Sequence, residues 1–126
     1  MQASLLLAIA AAGSVGSVCR YLLGQLVLAW CGEFPLHTFV VNALGCLLFG
    51  VVYAAGSGRW PSHVTAAILV GFFGAFTTFS SFAFDCVALA QERRWLWFGL
   101  DLVGQNVVGL LAMWGGMVLG QRLVGS

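Results

Sequence analysis

From Ser4 to Trp30 the chain carries a single charged side chain, Arg20. Three further stretches repeat the pattern, at about 36–55, 62–90 and 95–120, with Asp85 and Asp101 as their only charges. A helix needs about 20 mostly apolar residues to cross the hydrocarbon of a bilayer, and each stretch supplies them. The connections are Cys31-Gly32-Glu33-Phe34-Pro35, Gly56-Ser57-Gly58-Arg59-Trp60-Pro61 and Gln91-Glu92-Arg93-Arg94. They collect turn formers and charge, and Pro61 suits the first turn of a helix, where a missing N–H costs nothing. Within 126 residues, four spans and short connections leave no separate soluble domain. The expectation is an all-α integral membrane protein, a single four-helix transmembrane unit over 1–126.

Composition excludes the main alternatives. Charged residues make up 7% of the chain and apolar ones 61%, whereas soluble domains carry about 25% charge. A soluble enzyme lacks the polar surface it needs. The net charge of +1, from five arginines and no lysine, offers phosphates no basic face, so nucleic acid is not a partner. Trp30, Trp60, Trp95 and Trp97 fall at span ends, where amphipathic rings prefer the headgroup region. Trp114 falls deep in the fourth span and reads as a packing residue. The first stretch has no positive n-region and exceeds a normal signal-peptide core, so it reads as a permanent span.

Orientation is not encoded by charge. With the N-terminus inside, Arg59 and Arg122 lie inside and Arg93 and Arg94 outside, a tie under the positive-inside rule. Either the tie is chance, or the chain inserts both ways and pairs antiparallel with its own copy. Small residues recur at helical spacing, as in Gly13 and Ser17, Gly16 and Gly24 on either side of Arg20, and Gly116 and Gly120. Such faces let helix backbones approach closely in lipid. They either tighten one bundle or join two chains; an oligomer is favoured, because four helices barely enclose a polar path.

Catalytic chemistry finds no footing. Cys19, Cys31, Cys46 and Cys86 form no CxxC pattern and read as small hydrophobes. His37 and His63 fall near span starts. Asp85 and Asp101 have no nucleophile or base motif beside them, so no enzyme is expected. A small proton-coupled exporter needs an ionisable group deep in the membrane, yet Glu33 and Glu92 fall in connections.

The unusual segment lies in the third span: Gly71-Phe72-Phe73-Gly74-Ala75-Phe76-Thr77-Thr78-Phe79-Ser80-Ser81-Phe82. Its hydroxyls either bond back to their own helix or mark a place where the helix opens after Gly74, at Thr77-Thr78. Open backbone is tolerated at that depth only inside protein or beside a wet cavity, and its carbonyls can bind a small cation. Phe76, Phe79 and Phe82 recur every third residue, which predicts one shared helical face. Ring edges are positive and can help hold an anion without a fixed counter-charge. Asn42 in the second span, and Gln105 and Asn106 in the fourth, add neutral amide donors.

The chain is similar to the Fluc/CrcB fluoride channels along essentially its whole length. The resemblance rests on Gly16-Ser17-Val18-Cys19-Arg20-Tyr21, on Asn42-Ala43-Leu44-Gly45, and above all on the segment from Gly71 to Phe82. It implies a fluoride-selective passive channel that exports fluoride from the cytoplasm of a bacterium, across the inner membrane, and lowers its toxicity. It implies an antiparallel dual-topology homodimer with two pores, and a third helix broken mid-membrane. It also implies a structural, untransported sodium ion held by main-chain carbonyls of Gly74 and Thr77. Phe79 and Phe82 would form an aromatic box, with Ser80 and Ser81 between them. Asn42 would be the pore amide, and Arg20 would lie near an aqueous entrance. Ser17 departs from the usual alanine. The polar track expected on the fourth span falls by gapless placement at Leu102 and Asn106, with Asp101 alongside.

Overall fold

The computed structural model describes residues 2–32 and 34–125. Four helical runs in it are long and apolar enough to cross a membrane: Ala3–Trp30, Leu36–Gly56, Ser62–Gln91 and Trp95–Gly125. The first two are α1 (Ala3–Trp30) and α2 (Leu36–Gly56). The third is assembled from pieces. It begins with α3 (Ser62–Ala66), winds into a π-helix over Ala67–Phe73, and returns to α-helix in α4 (Gly74–Phe76). Thr77 and Thr78 then adopt extended backbone, and α5 (Phe79–Gln91) resumes the run. The last helix, α6 (Trp95–Gly125), continues through Arg122, past the expected end near residue 120.

Backbone contact between helices runs through glycine. A methyl group on Gly116 would collide with the carbonyl of Leu47, and one on Gly120 would lie 2.9 Å from the Ala54 Cβ. These positions let α6 lie directly against α2. On the other side, a methyl on Gly16 would strike the Phe72 carbonyl, and one on Gly71 would come within 2.7 Å of the Ile9 carbonyl. That pair seats α1 against the π-helix. Dispersion in lipid depends on such close approach, because lipid tails are as apolar as the side chains. The small-residue faces of Gly16 and of Gly116 and Gly120 are therefore engaged within one chain and carry no argument for an oligomer.

Two expectations are corrected. Phe76, Phe79 and Phe82 do not share a helical face, because the extended residues between Phe76 and Phe79 reset the rotation. Phe76 is 4% exposed, Phe79 78% and Phe82 8%. Trp114 is 68% exposed on the isolated chain rather than in its core, since depth along a helix does not decide which face a residue takes.

Gly116→Leu should force α2 and α6 apart. We expect a loss of about 1–3 kcal/mol or more, as for overpacked cores, read as a lower unfolding midpoint in detergent. Gly99→Ala, where a methyl meets nothing within 4 Å, should leave the midpoint unchanged or slightly raised.

Candidate ion pathway

The interruption of the third run is held by one side chain of α2. Asn42 Oδ1 accepts the backbone N–H of Thr78 at 2.8 Å, and Asn42 Nδ2 donates to the Thr78 carbonyl at 3.1 Å. The amide thus pairs with Thr78 as a neighbouring strand would, which stabilises its extended backbone (φ −147°, ψ 112°). Thr78 also caps α5. Its Oγ1 accepts the N–H of Ser81 at 3.2 Å and lies 3.1 Å from the Ser81 hydroxyl and 3.2 Å from that of Ser80. An N-cap threonine satisfies one of the donors a helix start leaves open. Thr77 turns its hydroxyl back to the Phe73 carbonyl at 2.9 Å.

These bonds divert two helical donors. In a continuous α-helix the N–H of residue 78 would serve the carbonyl of Gly74, and that of Ser81 the carbonyl of Thr77. Here they go to Asn42 Oδ1 and Thr78 Oγ1. Gly74 and Thr77 are the residues whose carbonyls the resemblance assigns to a cation. Freed carbonyl oxygens fit a hard cation such as Na⁺. Gly74 is exposed, with open space beside its Cα.

A cavity of about 360 Å³ adjoins this junction. Asn42, Thr77, Thr78, Phe79, Phe82 and Asn106 are among its lining residues. Phe79 and Phe82 stand as a tilted pair with ring centroids 5.5 Å apart. Arg20 is elsewhere, in a second cavity of about 200 Å³ with His37, Thr38, Thr78 and Ser81. Thr78 lines both spaces, so the extended segment is the wall between them. Arg20 Nε is buried there without a hydrogen-bond partner among the described residues. Ser80 is exposed at the helix start, with its hydroxyl 3.2 Å from that of Thr78.

The fourth span differs from its expected polar track. Asn106 lines the cavity beside Phe79 and Phe82 but its Nδ2 donates back to the Leu102 carbonyl at 2.6 Å, and Leu102 is 39% exposed. The residue that meets Asn42 is Gln105, whose Oε1 accepts from Asn42 Nδ2 at 2.9 Å. Gln105 Nε2 in turn donates to Asp101 Oδ1 at 2.8 Å. Asp101 is 0% exposed. The i, i+4 spacing of Asp101 and Gln105, opposite the single amide of α2, was the available signal for this track.

These features define a multi-pass helical membrane protein with a largely apolar cavity into which a few uncharged amides and hydroxyls project, a class that includes channels and transporters. The family profile described as "CrcB-like protein, Camphor Resistance (CrcB)" matches residues 7–117. A protein of Nitratidesulfovibrio vulgaris (strain DSM 19637 / Miyazaki F), named "Fluoride-specific ion channel FluC", is 46% identical over 127 residues, covering 98% of this chain and 100% of its own length. One of Nitrosococcus oceani with the same name is 42% identical, covering 90% and 93%. "Fluoride-specific ion channel FluC 2" of Natronomonas pharaonis is 43% identical, covering 93% and 95%. The chain belongs to the CrcB-like family. Its named relatives are channels, which are not an enzyme class.

Asn42→Ala removes both bonds to Thr78 and leaves a backbone N–H and carbonyl without that partner. An unsatisfied buried polar group costs about 1–3 kcal/mol. We expect a destabilisation of about 2 kcal/mol or more, measured by unfolding with increasing sodium dodecyl sulfate. An unchanged midpoint would show that Asn42 does not hold the interruption.

Proposed function

We propose that this chain is a fluoride-specific ion channel that works as an antiparallel, dual-topology homodimer. It would export fluoride passively across the bacterial inner membrane and so lower its toxicity. The observation that carries this reading is the uncharged junction at Thr77 and Thr78, stapled by Asn42 beside a cavity lined by two phenylalanine rings. Fluoride is small and strongly hydrated. To pass, it must exchange water for donors that hold it weakly, because a strong ion pair would trap it. Neutral amides from Asn42 and Asn106, with the ring edges of Phe79 and Phe82, offer that exchange in the cavity, and the hydroxyls of Ser80 and Ser81 would extend it beyond Thr78, Ser81 toward Arg20. Arg20 would act at a distance, raising the anion concentration at an aqueous entrance.

The dimer reading has its own support. Gly74, Phe79 and Ser80 are exposed on the isolated chain, beside carbonyls diverted from their helical donors. Polar, irregular backbone does not face lipid, so this patch calls for protein cover near mid-membrane. A second copy supplies it, and the arginine tie between the two faces permits opposite insertion. Main-chain carbonyls of Gly74 and Thr77 from both copies would hold a structural Na⁺. The ion would supply positive charge to neutralise the converging oxygens, and it would not be transported.

The reading is tested by fluoride efflux from proteoliposomes, followed with an ion-selective electrode, with chloride as control. Fluoride should leave and chloride should stay. Phe82→Ile should cut the efflux by roughly fivefold without altering the dimer's elution volume, because one ring edge contributes on the order of 1 kcal/mol to passage through each pore. A separate series tests the cation ligands. Thr77→Ser keeps the main-chain carbonyl and should retain most of the efflux; near-complete loss would contradict a carbonyl ligand.

A further inference from the structure

Asn42 has no amide hydrogen to spare. One goes to the Thr78 carbonyl at 3.1 Å and the other to Gln105 Oε1 at 2.9 Å. The orientation of the whole series follows from its two ends. A backbone N–H only donates, so the atom that meets Thr78 N at 2.8 Å is the oxygen of Asn42. The Asn42 nitrogen then faces Gln105, which must present its own oxygen. The Gln105 nitrogen is left to face Asp101, whose Oδ1 accepts at 2.8 Å. A carboxylate has no donor to offer in return. Asp101 Oδ2 accepts at 3.5 Å from the thiol of Cys86 on α5, and the residue is 0% exposed. The series Thr78, Asn42, Gln105, Asp101 therefore has one polarity, set by a backbone N–H at one end and a buried carboxyl group at the other.

We propose that Gln105 is a built-in competitor for the transported anion at Asn42, and that Asp101 is the positioning residue that keeps it in place. This rests on the channel reading above. The Gln105 oxygen occupies the acceptor position that an arriving anion would take on Asn42. An anion entering the cavity then displaces a neutral carbonyl oxygen rather than filling a vacant donor. Gln105 stays tethered through its nitrogen to Asp101, so its oxygen returns when the anion leaves. Binding at Asn42 is weakened and release is quickened, which favours throughput over grip. A tether at the buried end also explains why an acid lies beside an anion path: both carboxyl oxygens have donors from the protein, and Gln105 stands between the carboxyl group and Asn42.

The test measures efflux from proteoliposomes as a function of fluoride concentration, which separates half-saturating fluoride from maximal rate. Asp101→Leu removes the tether and Gln105→Ala removes the competitor. Both should lower half-saturating fluoride by roughly 3- to 10-fold, the change expected when one neutral hydrogen bond no longer competes. Both should lower the maximal rate as well. Asp101→Asn keeps an oxygen that can accept from Gln105 and should restore both constants to within about twofold of wild type. If Asp101→Leu does not fold, Gln105→Ala decides, since the space it opens admits water beside Asp101. Wild-type vesicles that retain fluoride would sink the channel reading itself. Wild-type efflux with unchanged half-saturation in folded Gln105→Ala overturns this inference alone. A lower rate with unchanged half-saturation also overturns it, because that is what loss of structure without loss of competition produces.

Discussion

The pairing of Asn42 with the backbone of Thr78 is the interaction on which the rest of this molecule depends. A helix surrounded by hydrocarbon cannot simply stop, because each unpaired backbone group costs several kcal/mol there. One amide side chain replaces the missing partners on both sides of Thr78, accepting at 2.8 Å and donating at 3.1 Å. The threonine hydroxyl then starts the next helix. Two carbonyls lose their helical donors, an exposed polar patch appears on an otherwise apolar chain, and a cavity forms where α2, α5 and α6 meet. The π-helix over Ala67–Phe73 precedes the same junction, as wider turns often do beside functional sites.

The surrounding packing serves to hold α2 in register with that junction. Gly50, Gly116 and Gly120 bring α2 and α6 to backbone contact, and this sets Asn42 opposite Gln105. Gly16 and Gly71 do the same between α1 and the π-helix. Gly45 lies against Thr77 and Phe76, so a side chain there would push α2 away from the interruption. Close contact between backbones fixes distances more rigidly than side-chain packing can, and a staple of two hydrogen bonds tolerates little drift. The charged residues that remain inside the runs do not line the cavity of Phe79 and Phe82: Asp101 lies behind Gln105, Arg20 in the cavity on the other side of Thr78, and Asp85 in a further cavity with His37 and Arg94.

Much of this was legible in the sequence, for physical reasons that also mark where legibility ends. Long runs without charge announce membrane helices, because burying an ion in lipid is so costly that few sequences do it. The hydroxyl cluster after Gly74 allowed either bonding back to its own helix or an opening, since threonine and serine offer backbone groups an alternative partner; Thr77 does the first and Thr78 the second. The phase of the phenylalanines was misread, because a helical period holds only while the helix continues, and two extended residues separate Phe76 from Phe79. On the fourth span Gln105 and Asn106 both offered an amide, and the resemblance placed Asn106 on the polar track; the structure brings Gln105 to Asn42. Adjacent residues on a helix point about 100° apart, and the choice between them depends on how α6 rotates against α2. That rotation is set by glycine contacts across the bundle, which a single sequence does not display.

The most direct test of the central claim concerns the Thr78 amide itself. Hydrogen–deuterium exchange in lipid bilayers, resolved residue by residue, would follow the Thr78 N–H beside its cavity in the wild type and in Asn42→Ala. Slow exchange in the wild type, lost on removing Asn42, is expected if the side chain holds this N–H. Equal exchange in the two proteins would contradict it, and with it the explanation of how the third helix is kept open.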